Sequence, residues 1–138
     1  MPKISRVLLS FSLIYLVLGA FFGLLVGIGK VFPELSQKFL SLVHIHINFM
    51  IFGFFFNFIL AVGYWIFPRL KEGTSRGNTF LYVASFFLLN FALIFDAVNF
   101  LFLKQSRFFV FSLLIFLSLL IFIFGSFRRI KPPPFGEK

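Results

Sequence analysis

The sequence predicts an all-α membrane protein, in which residues 1–138 form a single domain, an antiparallel bundle of four transmembrane helices. Three observations support this fold class. Hydrophobic residues make up 60% of the chain and charged residues only 12%, whereas soluble domains are about half apolar and about a quarter charged. Phenylalanine alone contributes 27 residues, more apolar surface than so small an interior can hide. The apolar residues also fall into four runs, each long enough to cross a bilayer as a helix.

The four runs follow one another along the chain with short polar breaks between them. The spans are expected at residues 4–29, 39–67, 79–103 and 108–127. The loop at residues 71–78 is the clearest turn signal, and a short basic turn at 104–107 separates the last two spans. The runs are much longer than a membrane-spanning strand and do not alternate in polarity, so they are predicted to be helices.

The basic residues predict the orientation of the bundle. Four spans place both termini and the middle loop on the same side of the membrane, and nine of the thirteen Lys and Arg residues fall on that side. They are Lys3, Arg6, Arg69, Lys71, Arg76, Arg128, Arg129, Lys131 and Lys138. Because basic loops are retained in the cytoplasm, we expect both termini to be cytoplasmic, in the inner membrane of a prokaryote.

The composition argues against several functional classes. The net charge of +9 arises at the ends of the apolar runs, where basic residues orient membrane helices, so it does not indicate nucleic-acid binding. The chain has no cysteine, which excludes iron–sulfur clusters, thiolate-ligated haem and covalently attached c-type haem. The sequence has no recognisable nucleophile–base pair, paired carboxylates or phosphate loop, so an independent enzyme is not favoured.

Ionisable residues inside the predicted spans are candidates for function, because burying them in lipid is costly. They are His44, His46 and Asp96. Counted from the basic residues that flank their spans, His46 and Asp96 both lie roughly 12 Å below the outer boundary. Asp96 either accepts a hydrogen bond from the free ring nitrogen of a metal-ligating histidine, or is a buried acid that bonds asparagine or backbone without any metal. The weaker polar candidates in the spans are Asn48, Asn57, Asn90 and Asn99.

The two histidines are expected to face different sides of span two. They are two residues apart, so on a regular helix their side chains point about 200° from each other. The stripe of His46 continues through Met50, Gly53 and Asn57. Because this stripe is smaller and more polar than that of His44, we expect it to face the interior, with Gly53 leaving room for a flat group.

Span one carries a glycine every four residues. The three positions are Gly19, Gly23 and Gly27. This spacing favours close helix–helix packing, within the bundle or in a dimer. In the alternative interpretation, Gly23 gives clearance to the edge of a porphyrin, since it lies at a depth similar to that of His46.

Two stretches of span two, residues 44–53 (HIHINFMIFG) and 63–69 (GYWIFPR), resemble the second transmembrane helix of haem-copper oxidase catalytic subunits. In that family the helix carries a haem-ligating histidine near its outer end, a glycine two turns later and an aromatic-rich ending. The matching positions here are His46, Gly53, Tyr64 and Pro68. The resemblance covers about 30 residues, and that family has about a dozen spans.

The resemblance implies a non-covalent haem b with His46 as an axial ligand. Only two histidines are present, so the family's copper site and oxygen-reducing centre cannot be built. Because one helix presents His44 and His46 on opposite faces, a bis-histidine haem implies a homodimer. The dimer holds either one haem between two symmetry-related histidines or two haems that each pair His46 with His44. The propionates are expected to face outward, towards Lys38, Lys104 and Arg107.

The sequence therefore predicts a membrane-bound b-type cytochrome that transfers electrons near the outer leaflet. Its expected partners are membrane lipid, a second copy of the chain, and quinone or a respiratory redox protein. The alternative is a cofactor-free accessory or assembly subunit of a respiratory membrane complex. A channel with a polar path through Asp96 is disfavoured, because the chain is short and carries no repeat.

Overall fold

The computed structural model describes residues 1–67, 79–103 and 108–127, together with Arg129. Within these ranges the secondary structure is entirely helical, and four helices are long and apolar enough to cross a membrane. The predicted class of an all-helical membrane protein is therefore confirmed. Spans one to four occupy Lys3–Val31, Glu34–Ile66, Thr79–Leu103 and Phe108–Phe127.

Span two is segmented, whereas each of the other spans is one continuous α-helix. Helix α1 is Lys3–Val31. Span two consists of α2 (Pro33–Leu40), α3 (Val43–Asn48), a π-helical segment (Phe49–Phe56) and α4 (Asn57–Ile66). Helices α5 and α6 are Thr79–Leu103 and Phe108–Phe127. We call the end of the bundle where α1 stops and α2 begins the histidine end, because His44 and His46 lie near it.

Spans one and two pack closely because glycines on each helix receive a side chain of the other. A methyl group built at Gly19 would lie 2.7 Å from the Sδ atom of Met50, and one built at Gly53 would lie 2.6 Å from Cγ of Tyr15. A methyl group at Gly27, by contrast, would have no atom within 4 Å. Gly19 and Gly53 therefore form a packing surface, and Gly27 lies outside it.

The π-helical segment changes which neighbour span two faces. A π-turn closes with i→i+5 hydrogen bonds and contains more residues than an α-turn, so the residue stripe rotates around the helix. The side chain of Asn57 donates to the Gly53 carbonyl at 2.8 Å and accepts from Asn90 of span three at 3.1 Å. Gly53 and Asn57 are both buried, as the interior-facing stripe predicts, but the stripe does not keep to one neighbouring span. Met50 and Gly53 face span one, whereas Asn57 faces span three.

Spans three and four are held together by small polar residues. The hydroxyl groups of Ser85 and Ser118 each donate to the carbonyl oxygen of the other residue at 2.7 Å. Nearer the opposite end, the Tyr82 hydroxyl lies 3.2 Å from the Gly125 carbonyl and 3.1 Å from the Ser126 hydroxyl. Small residues at such positions let two membrane helices approach closely.

Aromatic contacts join these two helical hairpins into one bundle. The ring of Phe52 in span two meets that of Phe111 in span four edge to face, with 5.4 Å between centroids. Phe11 of span one and Phe86 of span three form a similar pair at 5.1 Å. Each hairpin thus contacts the other through both of its helices.

Arg129 closes the end of the bundle opposite to the histidines. Its side chain is 1% exposed and donates hydrogen bonds to the carbonyl oxygens of Tyr64, at 3.1 Å, and Phe67. It also donates to the Tyr82 hydroxyl at 3.0 Å, and its guanidinium lies 5.4 to 5.6 Å from the ring centres of all three aromatic residues. Because the last carbonyls of a helix have no partner within it, Arg129 satisfies the end of α4.

We predict that Gly53→Ala destabilises the folded protein by about 1–3 kcal/mol, because the added methyl group overpacks the contact with Tyr15. The contact involves Cγ and Cβ of Tyr15, which cannot swing away as the end of a flexible chain could. Unfolding in mixed detergent micelles measures the change. The matched control is Gly27→Ala, which has open space and should be neutral or stabilise the helix by up to about 1 kcal/mol. Equal stability of the two variants would contradict the packing role of Gly53.

Candidate functional site

His46 lies between spans one and two, and its hydrogen bond determines its tautomer. Its Nδ1 atom is 2.8 Å from the carbonyl oxygen of Gly19. A carbonyl oxygen only accepts, so Nδ1 carries the proton and Nε2 of the neutral ring carries the lone pair. Nε2 has no hydrogen-bond partner among the described residues and is not fully buried. This is the arrangement of a ligating histidine, whose second ring nitrogen donates to the protein.

The two glycines predicted to leave room for a cofactor receive side chains of the chain itself. A methyl group built at Gly23 would lie 2.7 Å from Cε1 and 2.9 Å from Nδ1 of His46. Gly23 therefore makes room for the imidazole. The space beside Gly53 is filled by the Tyr15 ring. Both glycines have packing roles in the structure, and Gly23 contributes to the site by positioning His46.

His44 faces span three and belongs to a buried polar cluster with Asp96 and Asn48. Its Nε2 atom is 2.8 Å from Oδ2 of Asp96, and the Asn48 amide donates to the same oxygen at 2.8 Å. Asp96 is 3% exposed, and its Oδ1 atom has no hydrogen-bond partner among the residues that the structure describes. The Asn48 amide nitrogen also lies 3.2 Å from Nε2 of His44, so the three side chains form one cluster centred on Oδ2 of Asp96. Asp96 thus contacts His44, while the Gly19 carbonyl orients His46.

An open cavity lies next to His44 at the histidine end. The ring of Phe100 stacks on the His44 imidazole with 5.0 Å between centroids and 30° between planes, and it also lines this cavity of about 670 Å³. The other described lining residues are Gln37, Lys38, Ser41, Leu42 and Leu101. Lys38, which the sequence analysis paired with a propionate, is exposed here. The other two residues of that prediction, Lys104 and Arg107, lie outside the described residues.

The two histidines cannot both coordinate one metal ion within a single chain. His46 is turned towards span one and His44 towards span three, as their hydrogen bonds with Gly19 and Asp96 require. Among the described residues, no group of three or more His, Asp or Glu side chains is placed to hold a metal ion. Within one chain, His46 is therefore the histidine whose Nε2 atom remains available, whereas the Nε2 atom of His44 is bonded to Asp96.

Three contacts of the two histidines were not predicted from the sequence. Asn48 was a minor candidate, although its spacing of four residues from His44 places both on one helix face and signals the pair. The stacking of Phe100 on His44 could not be predicted, because nothing distinguishes this residue from the other phenylalanines among the 27 in the chain. The Gly19 carbonyl leaves no signal in the sequence, because every residue has a carbonyl group and only the packing of two helices selects one.

Comparison with known proteins extends the resemblance of span two to nearly the whole chain. A family model described as Cytochrome C and Quinol oxidase polypeptide I matches residues 3–132. The matched range contains all four spans and both histidines. No curated protein and no solved structure matches the chain significantly.

We predict that His44 and Asp96 are energetically coupled. Removing either side chain leaves the other buried polar group without its partner, so the two losses overlap. A double-mutant cycle of His44→Ala and Asp96→Ala, measured by unfolding in mixed micelles, should give a coupling free energy of about 0.5–2 kcal/mol, the range found for hydrogen bonds between membrane helices.

The control for this cycle is Asn99→Ala combined with His44→Ala. The Asn99 amide is also on α5, but it bonds the Phe95 carbonyl of its own helix at 2.7 Å. These two substitutions should therefore be additive. A cycle with Asp96 that is equally additive would show that the observed 2.8 Å contact has no net stabilising effect.

Proposed function

Because the chain belongs to the cytochrome c and quinol oxidase polypeptide I family, we propose that it is a membrane-bound b-type cytochrome with His46 as an axial haem ligand. The single observation that carries this proposal is the state of the His46 ring. Its Nδ1–H is committed to the Gly19 carbonyl at 2.8 Å, which leaves the lone pair on Nε2. An imidazole held in one tautomer by a backbone carbonyl is prepared for ligation before any iron arrives.

The surroundings of His46 suit a haem that transfers electrons. When bound, a b-type haem supplies a centre that gains and loses one electron reversibly. Gly23 sets the position of the imidazole, and the Gly19 carbonyl sets its rotation and raises its basicity as a ligand. Two buried neighbours in span two, Ile45 and Phe49, exclude water from the level of His46. The protein thereby controls the local dielectric, and with it the reduction potential of a bound haem.

The family's oxygen chemistry is not part of the proposal. The chain has two histidines and no cysteine, and one histidine is bonded to Asp96, so ligands for a copper ion beside the haem are missing. We propose electron transfer without oxygen reduction, and quinone or a respiratory redox protein as the exchange partner. The positive-inside rule supports cytoplasmic termini in a prokaryotic inner membrane, which places His46 near the outer leaflet.

We predict that the protein purified in detergent is red and has reducible Soret and α bands. His46→Ala should abolish both bands, because no other free imidazole nitrogen lies on that flank of span two. Imidazole added to the variant should restore a low-spin spectrum by replacing the lost side chain. A pyridine-haemochrome assay checks the haem type and content.

The matched variant is His44→Gln, whose amide can still donate to Asp96 and preserve the polar cluster. It should keep the haem spectrum of the wild-type protein. Loss of haem in this variant, with retention in His46→Ala, would reverse the assignment of the two histidines. A colourless wild-type protein that takes up no haem and co-purifies with larger respiratory subunits would instead support the cofactor-free accessory subunit.

A further inference from the structure

One chain provides only one of the two axial ligands that a low-spin b-type haem needs. His46 offers a free Nε2 atom on the span-one flank of span two. The Nε2 atom of His44 is bonded to Asp96 on the opposite flank, so it cannot reach an iron bound to His46. The site that His46 begins is therefore incomplete within the chain.

The position of His46 restricts where the second ligand can come from. The partly exposed ring lies in the groove between spans one and two, against Gly23, and the residues that follow Gly19 and His46 in sequence, Ala20 and Ile47, are exposed. Because exposed residues of both spans follow these contacts, we infer that the groove lies at the lateral surface of the bundle, which faces hydrocarbon in a membrane. A polar nitrogen that faces lipid without a partner is costly, so the groove favours an occupant that supplies both a ligand and apolar cover.

We propose that the occupant is a second copy of this chain, and that one haem is shared between the His46 residues of the two copies. This inference rests on the proposed haem function and goes beyond it by naming the ligand pair and the stoichiometry. A two-fold axis along the bilayer normal keeps both His46 residues at the same depth, and an axis that passes beside this groove makes their Nε2 atoms face each other. Both copies then contribute the same preformed imidazole.

The alternative pairing, His46 of one copy with His44 of the other, is less compatible with the contacts of His44. Only Nδ1 of that ring remains for a metal, and Nδ1 lies next to the carbon that joins the ring to its own helix. Phe100 already covers one face of the imidazole at 5.0 Å. Moving the ring to expose Nε2 would leave Asp96, which is 3% exposed, without its histidine partner, and a buried polar group that loses a partner is costly.

The first test is the ratio of haem to protein in the purified, haem-saturated wild-type protein. The proposal expects one haem for every two chains, a dimer by light scattering in detergent, and the electron paramagnetic resonance signature of two axial imidazoles. A ratio of one haem per chain would overturn the shared site while leaving the cytochrome function intact. A protein that binds no haem would overturn both.

The second test uses a tandem fusion of two copies. It is feasible because two described residues near the ends of the sequence both lie at the end of the bundle opposite to the histidines: Lys3 is beside Val83 near the start of α5, and Arg129 bonds the end of α4. In the fusion, His46→Ala in one copy alone should abolish the six-coordinate low-spin spectrum, although the other copy keeps its His46. Added imidazole should restore that spectrum, which shows that the variant is folded.

The matched fusion carries His44→Gln in one copy and should keep the full six-coordinate spectrum. The pairing of His46 with His46 is overturned if this fusion loses low-spin haem. It is also overturned if the fusion with a single His46 retains the six-coordinate spectrum without imidazole. Both fusions contain the same number of chains and helices, so a general effect of the linker cannot account for a difference between their spectra.

Discussion

The structure depends on one constraint: polar groups inside an apolar bundle must find their partners within the protein, because lipid offers none. Between spans two and three this produces polar contacts at successive levels. Asp96 meets His44 near the histidine end, and Asn90 meets Asn57 further along the spans. At the far end, Arg129 bonds the end of α4 and Tyr82 of span three. These contacts fix how the two helical hairpins align, which apolar contacts alone would leave poorly specified.

The same constraint explains how His46 becomes suited to ligation. Spans one and two approach closely through glycines, and the close approach brings the Gly19 carbonyl within 2.8 Å of the ring. The π-helical segment that follows exposes further backbone carbonyls, and side chains satisfy them: Ser12 donates to Phe54, and Asn57 donates to Gly53. The packing, the tautomer and the orientation of the His46 ring are thus consequences of one helix–helix contact, so a substitution at Gly19 or Gly23 of span one acts directly on this ring.

The sequence was sufficient to predict the class of fold. Lipid imposes helices, and the length of each apolar run can be read directly from the order of the residues. It also located the histidines and their opposite faces, since that follows from helical spacing. The sequence did not predict which residue bonds Asp96, nor did it predict the π-helical segment. His44 and His46 lie at nearly the same depth, so depth could not tell which one meets the acid. Asn57 turned towards span three because of a local widening of the helix that no residue type signals.

These contacts also decide where in the bundle a haem would sit. The interior near the histidine level is filled by the chain's own side chains: Ile45 and Leu93 are 1% exposed, and Tyr15 occupies the space beside Gly53. A macrocycle at the centre would have to displace this core, with a penalty of several kcal/mol for each large side chain removed. The groove beside His46 needs no such rearrangement, because the ring already reaches the surface there. In a four-helix chain built in this way, the proposed haem would sit at the edge of the bundle, where the proposed second copy would complete its site.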